Sequence, residues 1–118
     1  MQANIAFIGV GNMAGAIIRG LIQNGYPADL ITGTARNDEK RVALTQELGI
    51  NMTHDNVGAV AEADVIVLCV KPAQMAEVIA DFKTVVSPDQ LFISVAAGLG
   101  LESLTDWLGD VAVVRSMP

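Results

Sequence analysis

The sequence has 118 residues and is long enough for one domain with a hydrophobic core of its own. Hydrophobic residues make up 52% and charged residues 17%, and the mean hydropathy of +0.46 is typical of a sheet that is buried on both faces. The net charge of -6, with seven scattered lysines and arginines, argues against a nucleic-acid surface, and one cysteine and one histidine argue against an internal disulfide and a zinc cluster.

No segment has the features of a membrane span or of a targeting signal. The longest apolar strand pattern, Val65 to Val70, is bounded by Asp64 and Lys71 and is too short to cross a bilayer. The first residues lack a basic segment, an apolar stretch and a cleavage site. We therefore expect a soluble, cytoplasmic protein without a membrane partner.

Strand patterns and helical patterns alternate along the whole chain. We expect strands near residues 3–9, 30–34, 50–53, 64–70, 91–95 and 111–115. Helices are expected near 12–24, 38–48 and 101–108, with a short one near Asp55 and another after Pro72. This alternation predicts a single α/β domain over residues 1–118, a Rossmann-type doubly wound parallel sheet with helices on both faces.

The predicted helices have apolar stripes and recognisable ends. The first carries its stripe at Ala14, Ile17, Ile18, Leu21 and Ile22, and Gly25 is its expected stop. The second helix carries Val42, Leu44 and Leu48 and is expected to stop at Gly49. Both helices are thus expected to lie against the sheet.

The first strand runs directly into Gly9-x-Gly11-x-x-Ala14, and a helical pattern starts at once. This is a dinucleotide-binding turn in its proper context, between a strand and a helix. Gly9 allows a tight turn, Gly11 lets a pyrophosphate approach the backbone amides at the helix N-terminus, and Ala14 lets the helix pack closely on the strand. Glycines also occur in turns that bind nothing, but the flanking elements favour a nucleotide site.

The end of the second strand indicates which dinucleotide is bound. An NAD site usually has an acidic residue about 20 residues after the glycines, but the segment from Thr34 to Asn37 offers no carboxylate before Asp38. A hydroxyl, a guanidinium and an amide, at Thr34, Arg36 and Asn37, suit a 2′-phosphate. The pattern therefore predicts that NADPH binds more tightly than NADH. The alternative is that Arg36 is a solvated loop residue.

The later strand ends lie at the same edge of a parallel sheet and are further candidates. Lys71-Pro72 predicts a sharp strand-to-helix corner near the nicotinamide ribose, or simply a helix start. The segment from Ala96 to Gly98 leaves room for a flat ring, although Gly98 could equally be an ordinary turn glycine. Arg115 and Ser116 end the sixth strand at this edge, and their role is left open.

Three other residues have alternative interpretations. Asn56 is expected to cap the short third helix or to bind a ribose, and spacing alone favours the cap. Cys69 is expected to be a buried, inert strand residue, because no neighbouring residue supplies a base. His54 is expected to be a loop residue. No acid/base pair or Ser/His/Asp set is apparent, so we predict no catalytic residue within this chain.

Four blocks in order closely resemble the pyrroline-5-carboxylate reductase family: Phe7 to Ala14, Val70-Lys71-Pro72, Ile93 to Gly98 and Val114 to Pro118. The resemblance covers the whole chain. It implies the NAD(P)H-dependent reduction of the cyclic imine 1-pyrroline-5-carboxylate to L-proline, the last step of proline biosynthesis.

The resemblance also implies the cofactor contacts. Ile8, Gly9, Val10, Gly11, Asn12 and Met13 would hold the pyrophosphate, Thr34 and Arg36 the 2′-phosphate region, and Asn56 the adenosine side. Cys69, Val70, Lys71 and Pro72, with Ala96, Ala97 and Gly98, would line the nicotinamide half. The resemblance favours a cofactor contact over a cap for Asn56.

Two features depart from the family pattern. The family commonly has alanine where this chain has Cys69. The family also continues past Met-Pro into an all-helical domain that builds a homodimer or higher oligomer and completes the imine site, and that domain is absent from this sequence. We therefore expect cofactor binding with little turnover. The alternatives are a related β-hydroxyacid dehydrogenase-like or F420-type NADP reductase, and an NADP-sensing module without catalysis.

Overall fold

The computed structural model describes residues 2–95, 100–109 and 111–115. Within this part, strands and helices alternate from the first element to the last. The elements are β1 (Ile5–Ile8), α1 (Asn12–Gln23), β2 (Ile31–Thr34), α2 (Asp38–Leu48), β3 (Asn51–Thr53), α3 (Asn56–Glu62), β4 (Val65–Leu68), α4 (Pro72–Phe82), β5 (Leu91–Ser94), α5 (Leu101–Leu108) and β6 (Ala112–Arg115). Short 3-10 turns at Ala28–Leu30 and Lys83–Val85 precede β2 and follow α4.

The strands form one parallel sheet in the order β3-β2-β1-β4-β5-β6. In the central strand β1, Phe7 is in register with Gly33 of β2 on one side and with Val67 of β4 on the other. From β1 the chain adds β2 and β3 on one side of the sheet and then β4, β5 and β6 on the other side. This reversal opens a crevice beyond the carboxyl ends of the strands, where such sheets bind their ligands. The predicted fold class is confirmed.

Each face of the sheet has its own hydrophobic core, because successive strand residues point to opposite faces. Phe7 contributes to the core under α1 and α2, together with Ile18 and Ile31. Ile8 contributes to the core under α3, α4 and α5. In that second core the rings of Phe82 and Phe92 stack with centroids 6.1 Å apart and join α4 to β5. The two cores, one on each face of the sheet, hold in place the strand ends that border the crevice.

The helix predictions hold for α1 and need one correction in α2. Ala14 and Ile18 are buried, and Ile17, Leu21 and Ile22 pack against the same core. In α2, Leu48 is buried, but the side chain of Val42 is 57% exposed. The stripe that the sequence suggested for α2 therefore does not lie against the sheet along its whole length, since α2 packs beside the edge strand β3.

The buried side chain of Gln90 connects α3 with the turn before β5, a contact that the sequence patterns did not predict. Its amide nitrogen donates to the carbonyls of Val60 at 2.7 Å and Ala63 at 2.9 Å, at the end of α3. Its amide oxygen accepts from the Ser87 nitrogen at 2.9 Å. The amide thus fastens α3 to the turn before β5.

None of the helices in the described part of the chain is both long enough and apolar enough to span a membrane.

Candidate functional site

The turn after β1 requires glycine at position 9. Gly9 has a φ of +84°, a conformation that other residues rarely adopt. A Cβ atom placed there would lie 2.5 Å from Cγ1 of Val70, in the segment after β4. The backbone conformation and the close approach of the neighbouring strand both explain this glycine without any ligand.

Gly11, in contrast, is not required by the packing of the protein. A Cβ atom at Gly11 would meet no atom within 4 Å in the described structure. Gly11 precedes α1 and supplies no side-chain hydrogen bond to its first turn. In α2 and α3, Asn37 and Asp55 do supply such caps. The start of α1 therefore has no side-chain cap, like the starts of α4 and α5, and its exposed glycine leaves room for a phosphate to approach the backbone amides.

Thr34, at the end of β2, fastens the glycine turn. Its hydroxyl accepts a hydrogen bond from the Gly9 nitrogen at 3.0 Å, and its carbonyl accepts one from the Val10 nitrogen at 2.8 Å. The residue is only 3% exposed. The hydroxyl retains its own proton, so it can donate one hydrogen bond toward the crevice.

The loop between β2 and α2 carries the predicted 2′-phosphate residues. Asn37 caps α2, because its side-chain oxygen accepts from the Lys40 nitrogen at 2.9 Å. Its amide nitrogen remains as a donor. The cap brings the exposed side chains of Arg36 and Lys40 to the same cavity. Lys40 was not predicted as a site residue, although its position in the first turn of α2 was visible in the sequence.

A cavity of about 400 Å³ runs along this edge of the sheet, within the size range of ligand pockets. Ten of the predicted site residues line it: Gly9, Val10, Gly11, Thr34, Arg36, Asn37, Asn56, Cys69, Val70 and Lys71. Ala35, Lys40, His54, Gln74 and Val78 line it as well, and they were not predicted as contacts. The single cavity thus joins the glycine turn to the loops after β2, β3 and β4.

None of the other predicted site residues that the structure describes is among the residues that line this cavity. The side chain of Ile8 is fully buried in the core, so a contact with a cofactor would involve its backbone. Asn12 and Met13 are the exposed first residues of α1, and Pro72 begins α4. Ala96, Ala97 and Gly98 lie outside the described residues, as does Ser116, whereas Arg115 is exposed at the end of β6.

The structure separates the two interpretations of Asn56. The cap of α3 is Asp55, whose carboxylate accepts from the Gly58 nitrogen at 3.1 Å, so the interpretation of Asn56 as the cap is wrong. Aspartate caps helices as well as asparagine does, and the sequence has both side by side. Asn56 is the first residue of the helix and lines the cavity, next to the exposed loop residue His54.

The corner after β4 has both features that the sequence suggested. Lys71 has an extended backbone, and Pro72 occupies the first position of α4. The segment is a helix start, and the Lys71 side chain also lines the cavity. Cys69, expected to be a buried strand residue, lies instead directly after β4, which ends at Leu68, and is half-buried. Burial raises the pKa of its thiol from 9.0 to about 12, so the thiol stays protonated at neutral pH and is inert as a nucleophile.

The arrangement as a whole fits a phosphorylated dinucleotide. Gly11, which precedes the uncapped start of α1, lines one part of the cavity, and the cations of Arg36 and Lys40 line another. The described residues contain no group of three or more His, Cys, Asp or Glu side chains that is arranged to hold a metal ion. Amides, cations and hydroxyls are the donors that phosphate groups bind.

Comparisons with known proteins find relatives among NADP-dependent oxidoreductases, in agreement with a cavity that fits a phosphorylated dinucleotide. A family model described as NADP oxidoreductase coenzyme F420-dependent matches residues 4–98. The pyrroline-5-carboxylate reductase of Vibrio alginolyticus is 48% identical over 115 residues, which cover 97% of this chain and 42% of that protein. The chain therefore spans less than half the length of this curated relative.

Two solved structures have the same fold. The structure of a pyrroline-5-carboxylate reductase from Coxiella burnetii superposes with a TM-score of 0.94 at 40% identity, covering 100% of this chain and 44% of that one. That of Plasmodium falciparum pyrroline carboxylate reductase, with NADP bound, gives a TM-score of 0.82 at 22% identity, covers 97% of this chain and 41% of that one, and supports the fold alone. The match of residues 4–98, more than half of the chain, shows that the chain belongs to the family of NADP oxidoreductases described as coenzyme F420-dependent.

Proposed function

We propose that this chain is the NADPH-binding part of an enzyme that reduces 1-pyrroline-5-carboxylate to L-proline. The observation that carries the cofactor assignment is the uncapped start of α1, at Gly11, in one cavity with Arg36 and Lys40. The relatives named pyrroline-5-carboxylate reductase, at up to 48% identity over 97% of this chain, support the reaction. Bound NADPH would supply the hydride for the imine carbon.

The pyrophosphate would lie against the first turn of α1. The hydrogen bond between the Gly9 nitrogen and the Thr34 hydroxyl holds the glycine turn in place. The backbone amides of the turn are therefore oriented before the ligand binds. Gly11 leaves the space through which a phosphate oxygen approaches them. Because these amides are not capped, the helix dipole and the free donors act together on the anion.

The 2′-phosphate would lie between Arg36 and Lys40, with the Asn37 amide and the Thr34 hydroxyl as further donors. The first carboxylate after β2 belongs to Asp38, and it pairs with Arg41. That carboxylate is therefore engaged away from a ribose 2′-hydroxyl, which it would bind in an NAD site. Arg36 in this loop and Lys40 in the first turn of α2 supply two cations, which favour the phosphorylated cofactor.

The nicotinamide half would lie farther along the cavity, toward Cys69, Val70 and Lys71, with Ala96, Ala97 and Gly98 beside it. Asn56 would contact the adenosine side, and Ile8, Asn12, Met13 and Pro72 would complete the set through backbone or edge contacts. The neutral thiol of Cys69 adds no charge next to the ring. In this arrangement the chain binds and orients the cofactor.

The imine would be held by parts of the enzyme beyond the segment that this chain matches. The chain spans 42% of the relative from Vibrio alginolyticus. We propose that the rest of such an enzyme is a helical domain that forms a homodimer or higher oligomer in the cytoplasm and positions the imine. Orientation of reactants supplies roughly 7 to 11 kcal/mol of rate enhancement, so this chain alone should reduce the imine slowly.

Cofactor titration tests the binding assignment. We expect calorimetry to show tighter binding of NADPH than of NADH to the 118-residue chain. Arg36→Met and Lys40→Met should each weaken NADPH binding by about tenfold or more, since a hydrogen bond to a charged group contributes about 1.5 to 3 kcal/mol, and should leave NADH binding unchanged. Arg19→Met is the matched control, because Arg19 pairs with Glu47 on the outer surface. Equal affinity for the two cofactors would refute the assignment.

The family description supports a second candidate, hydride transfer between NADP and the deazaflavin coenzyme F420. Cofactor binding does not distinguish the two reactions, since both use the same domain. The discriminating assay saturates the chain with NADPH and follows its oxidation with 1-pyrroline-5-carboxylate or with oxidised F420. We expect slow oxidation with the imine and none with F420. Oxidation by F420 alone would support the second candidate, and imine turnover at the rate of a full-length reductase would contradict the expected need for a further domain.

A further inference from the structure

The guanidinium of Arg41 stabilises the loop between β2 and α2 through hydrogen bonds to its backbone. One of its terminal nitrogens donates to two backbone carbonyls, that of Ala35 at 2.7 Å and that of Arg36 at 2.9 Å. The other pairs with the carboxylate of Asp38. The Arg41 side chain is only 17% exposed, whereas that of Asp38 is 87% exposed. Arg41 is therefore a largely buried fork between the loop and the helix.

The position of this arginine is unusual for its charge. Arg41 lies in the first turns of α2, where the helix dipole disfavours a cation. Its backbone nitrogen already donates to the Asn37 carbonyl at 3.1 Å, so the side chain is not needed to start the helix. The contacts with two loop carbonyls and with Asp38 are what hold the guanidinium there.

The loop is fixed on both sides by these bonds. The Ala35 nitrogen donates to the Thr53 carbonyl at 3.1 Å and so attaches the loop to the end of β3. Arg41 then holds the carbonyls of Ala35 and Arg36, which are the two peptide groups around the point where the Arg36 side chain leaves the backbone. The direction in which Arg36 projects is thus set before any ligand binds.

Arg41 does this without reaching the ligand cavity. Arg36, Asn37 and Lys40 line the cavity, and Arg41 is not among its lining residues in the described part of the chain. Arg41 instead lies on the far side of the loop, with Val42 and Met52. A planar fork can hold two carbonyls and a carboxylate together, and a lysine ammonium has no such fixed geometry.

We propose that Arg41 is a positioning residue that sets the preference for NADPH over NADH, by holding the loop so that Arg36 and Lys40 meet the 2′-phosphate. The proposal rests on the proposed function of this cavity. Preorganising a loop raises affinity because less freedom is lost on binding. The side chain of Arg41 bonds to Ala35, Arg36 and Asp38 and not to the glycine turn, so we expect the effect to be confined to the phosphorylated cofactor.

The test compares Arg41→Lys and Arg41→Gln with the unchanged 118-residue chain, with calorimetric Kd values for NADPH and NADH. Each substitution should raise the Kd for NADPH by about five- to tenfold and change that for NADH by less than about twofold. Arg41→Lys keeps the positive charge near the phosphate and loses the fork. Arg19→Lys is the control, since Arg19 pairs with Glu47 on α2 at 2.6 Å and lies away from the cavity.

Each alternative outcome overturns the proposal in a recognisable way. If Arg41→Lys keeps the full preference and Arg41→Gln loses it, charge rather than loop geometry is responsible. If both variants keep the preference, Arg41 has no positioning role, while the proposed function stands. If both variants lose NADH binding as well, Arg41 supports the fold and not the selection of cofactor. If the unchanged chain binds NADPH and NADH equally, the proposed function fails and this inference fails with it.

Discussion

The hydroxyl of Thr34 accepts a hydrogen bond from the backbone nitrogen of Gly9 at 3.0 Å, across the boundary between β2 and β1. The two residues belong to different parts of the proposed cofactor site, since Gly9 shapes the pyrophosphate turn and Thr34 ends the strand before the 2′-phosphate loop. The bond makes the geometry of the turn depend on a side chain of the neighbouring strand. It is a contact that the sequence motif alone does not reveal.

Replacement of Thr34 by valine tests this dependence. Valine keeps the shape of threonine and removes the hydroxyl, so we expect a loss of about 1 to 2 kcal/mol in the free energy of unfolding, because the Gly9 amide loses its partner. The affinity for both cofactors should fall, since both use the turn, and that for NADPH should fall further, because the hydroxyl is also a proposed donor to the 2′-phosphate. Thr34→Ser keeps the hydroxyl and is the control. A loss confined to NADPH would show that the hydroxyl acts on the 2′-phosphate and not on the turn.

The two glycines of the turn should respond in opposite ways to alanine. Gly9→Ala forces a side chain into a positive φ and against Val70, so we expect a loss of about 1 to 3 kcal/mol in unfolding free energy. Gly11→Ala meets no neighbour, so stability should change by less than about 0.5 kcal/mol. The Gly11 variant should nevertheless bind NADPH at least about tenfold more weakly, because its methyl group occupies the phosphate approach. Urea denaturation and calorimetry together measure both effects, and a Gly11→Ala chain with normal affinity would exclude a pyrophosphate at this helix end.

Cys69 should be unreactive and should make stability depend on alkaline pH. Burial raises the pKa of its thiol from 9.0 to about 12 in the folded chain. At pH 8 the thiolate fraction is then about a thousandfold lower than for a free cysteine, and alkylation by iodoacetamide should be slow until the chain unfolds. The unfolded state releases the proton first, so the stabilisation is complete below pH 9 and is lost as the pH rises toward 12.

Cys69→Ala provides the comparison for this pH dependence. The variant should lose less stability than the unchanged chain between pH 9 and pH 12, because it has no thiol to titrate. The other titrating groups are the same in both proteins, so their contributions cancel in the difference. Equal curves for the two proteins, or rapid alkylation of the folded chain at pH 8, would show that the thiol is more accessible than the structure indicates.

Gln90 should contribute more to stability than its place beside an exposed turn suggests. Gln90→Leu removes three hydrogen bonds from a buried site and should lower the free energy of unfolding by about 2 to 3 kcal/mol. The neighbouring Asp89 is exposed, so we expect Asp89→Ala to change the free energy of unfolding by less than about 0.5 kcal/mol. Thermal or urea unfolding of both variants checks the difference, and comparable values would mean that the amide network has little net effect.

Much of the fold follows from local sequence patterns, because the strands are short and each is separated from the next by a helix. The predicted strand 64–70 corresponds to β4, Val65–Leu68, and the other strands differ from their predictions by similarly few residues. The exception is the outer side of α2, where Val42 is exposed. Periodicity shows which residues of a helix share a face, but how far a neighbouring strand covers that face depends on the edge of the sheet.

The site was predictable where a motif fixes the backbone and less so where side chains cap or brace a loop. The glycine turn and Arg36 line one cavity, as expected from strand ends that meet at one edge of a parallel sheet, and their contact with a cofactor stays a prediction. Asn56 and Asp55 are both good capping residues, and only the hydrogen bond to Gly58 decides between them. The role of Arg41 depends on contacts with backbone carbonyls, which have no sequence pattern.

If the cofactor binds as proposed, the uncapped start of α1 would link the abundance of the cofactor to the persistence of the folded chain. A ligand that binds only the folded state adds about 2.7 kcal/mol to the free energy of unfolding when its free concentration is 100 times its Kd. In this chain such a ligand would satisfy the helix amides that Gly11 leaves without a side-chain cap. A cell short of both NADP and NADPH would then unfold and degrade this polypeptide faster, so its lifetime would follow the size of the NADP(H) pool.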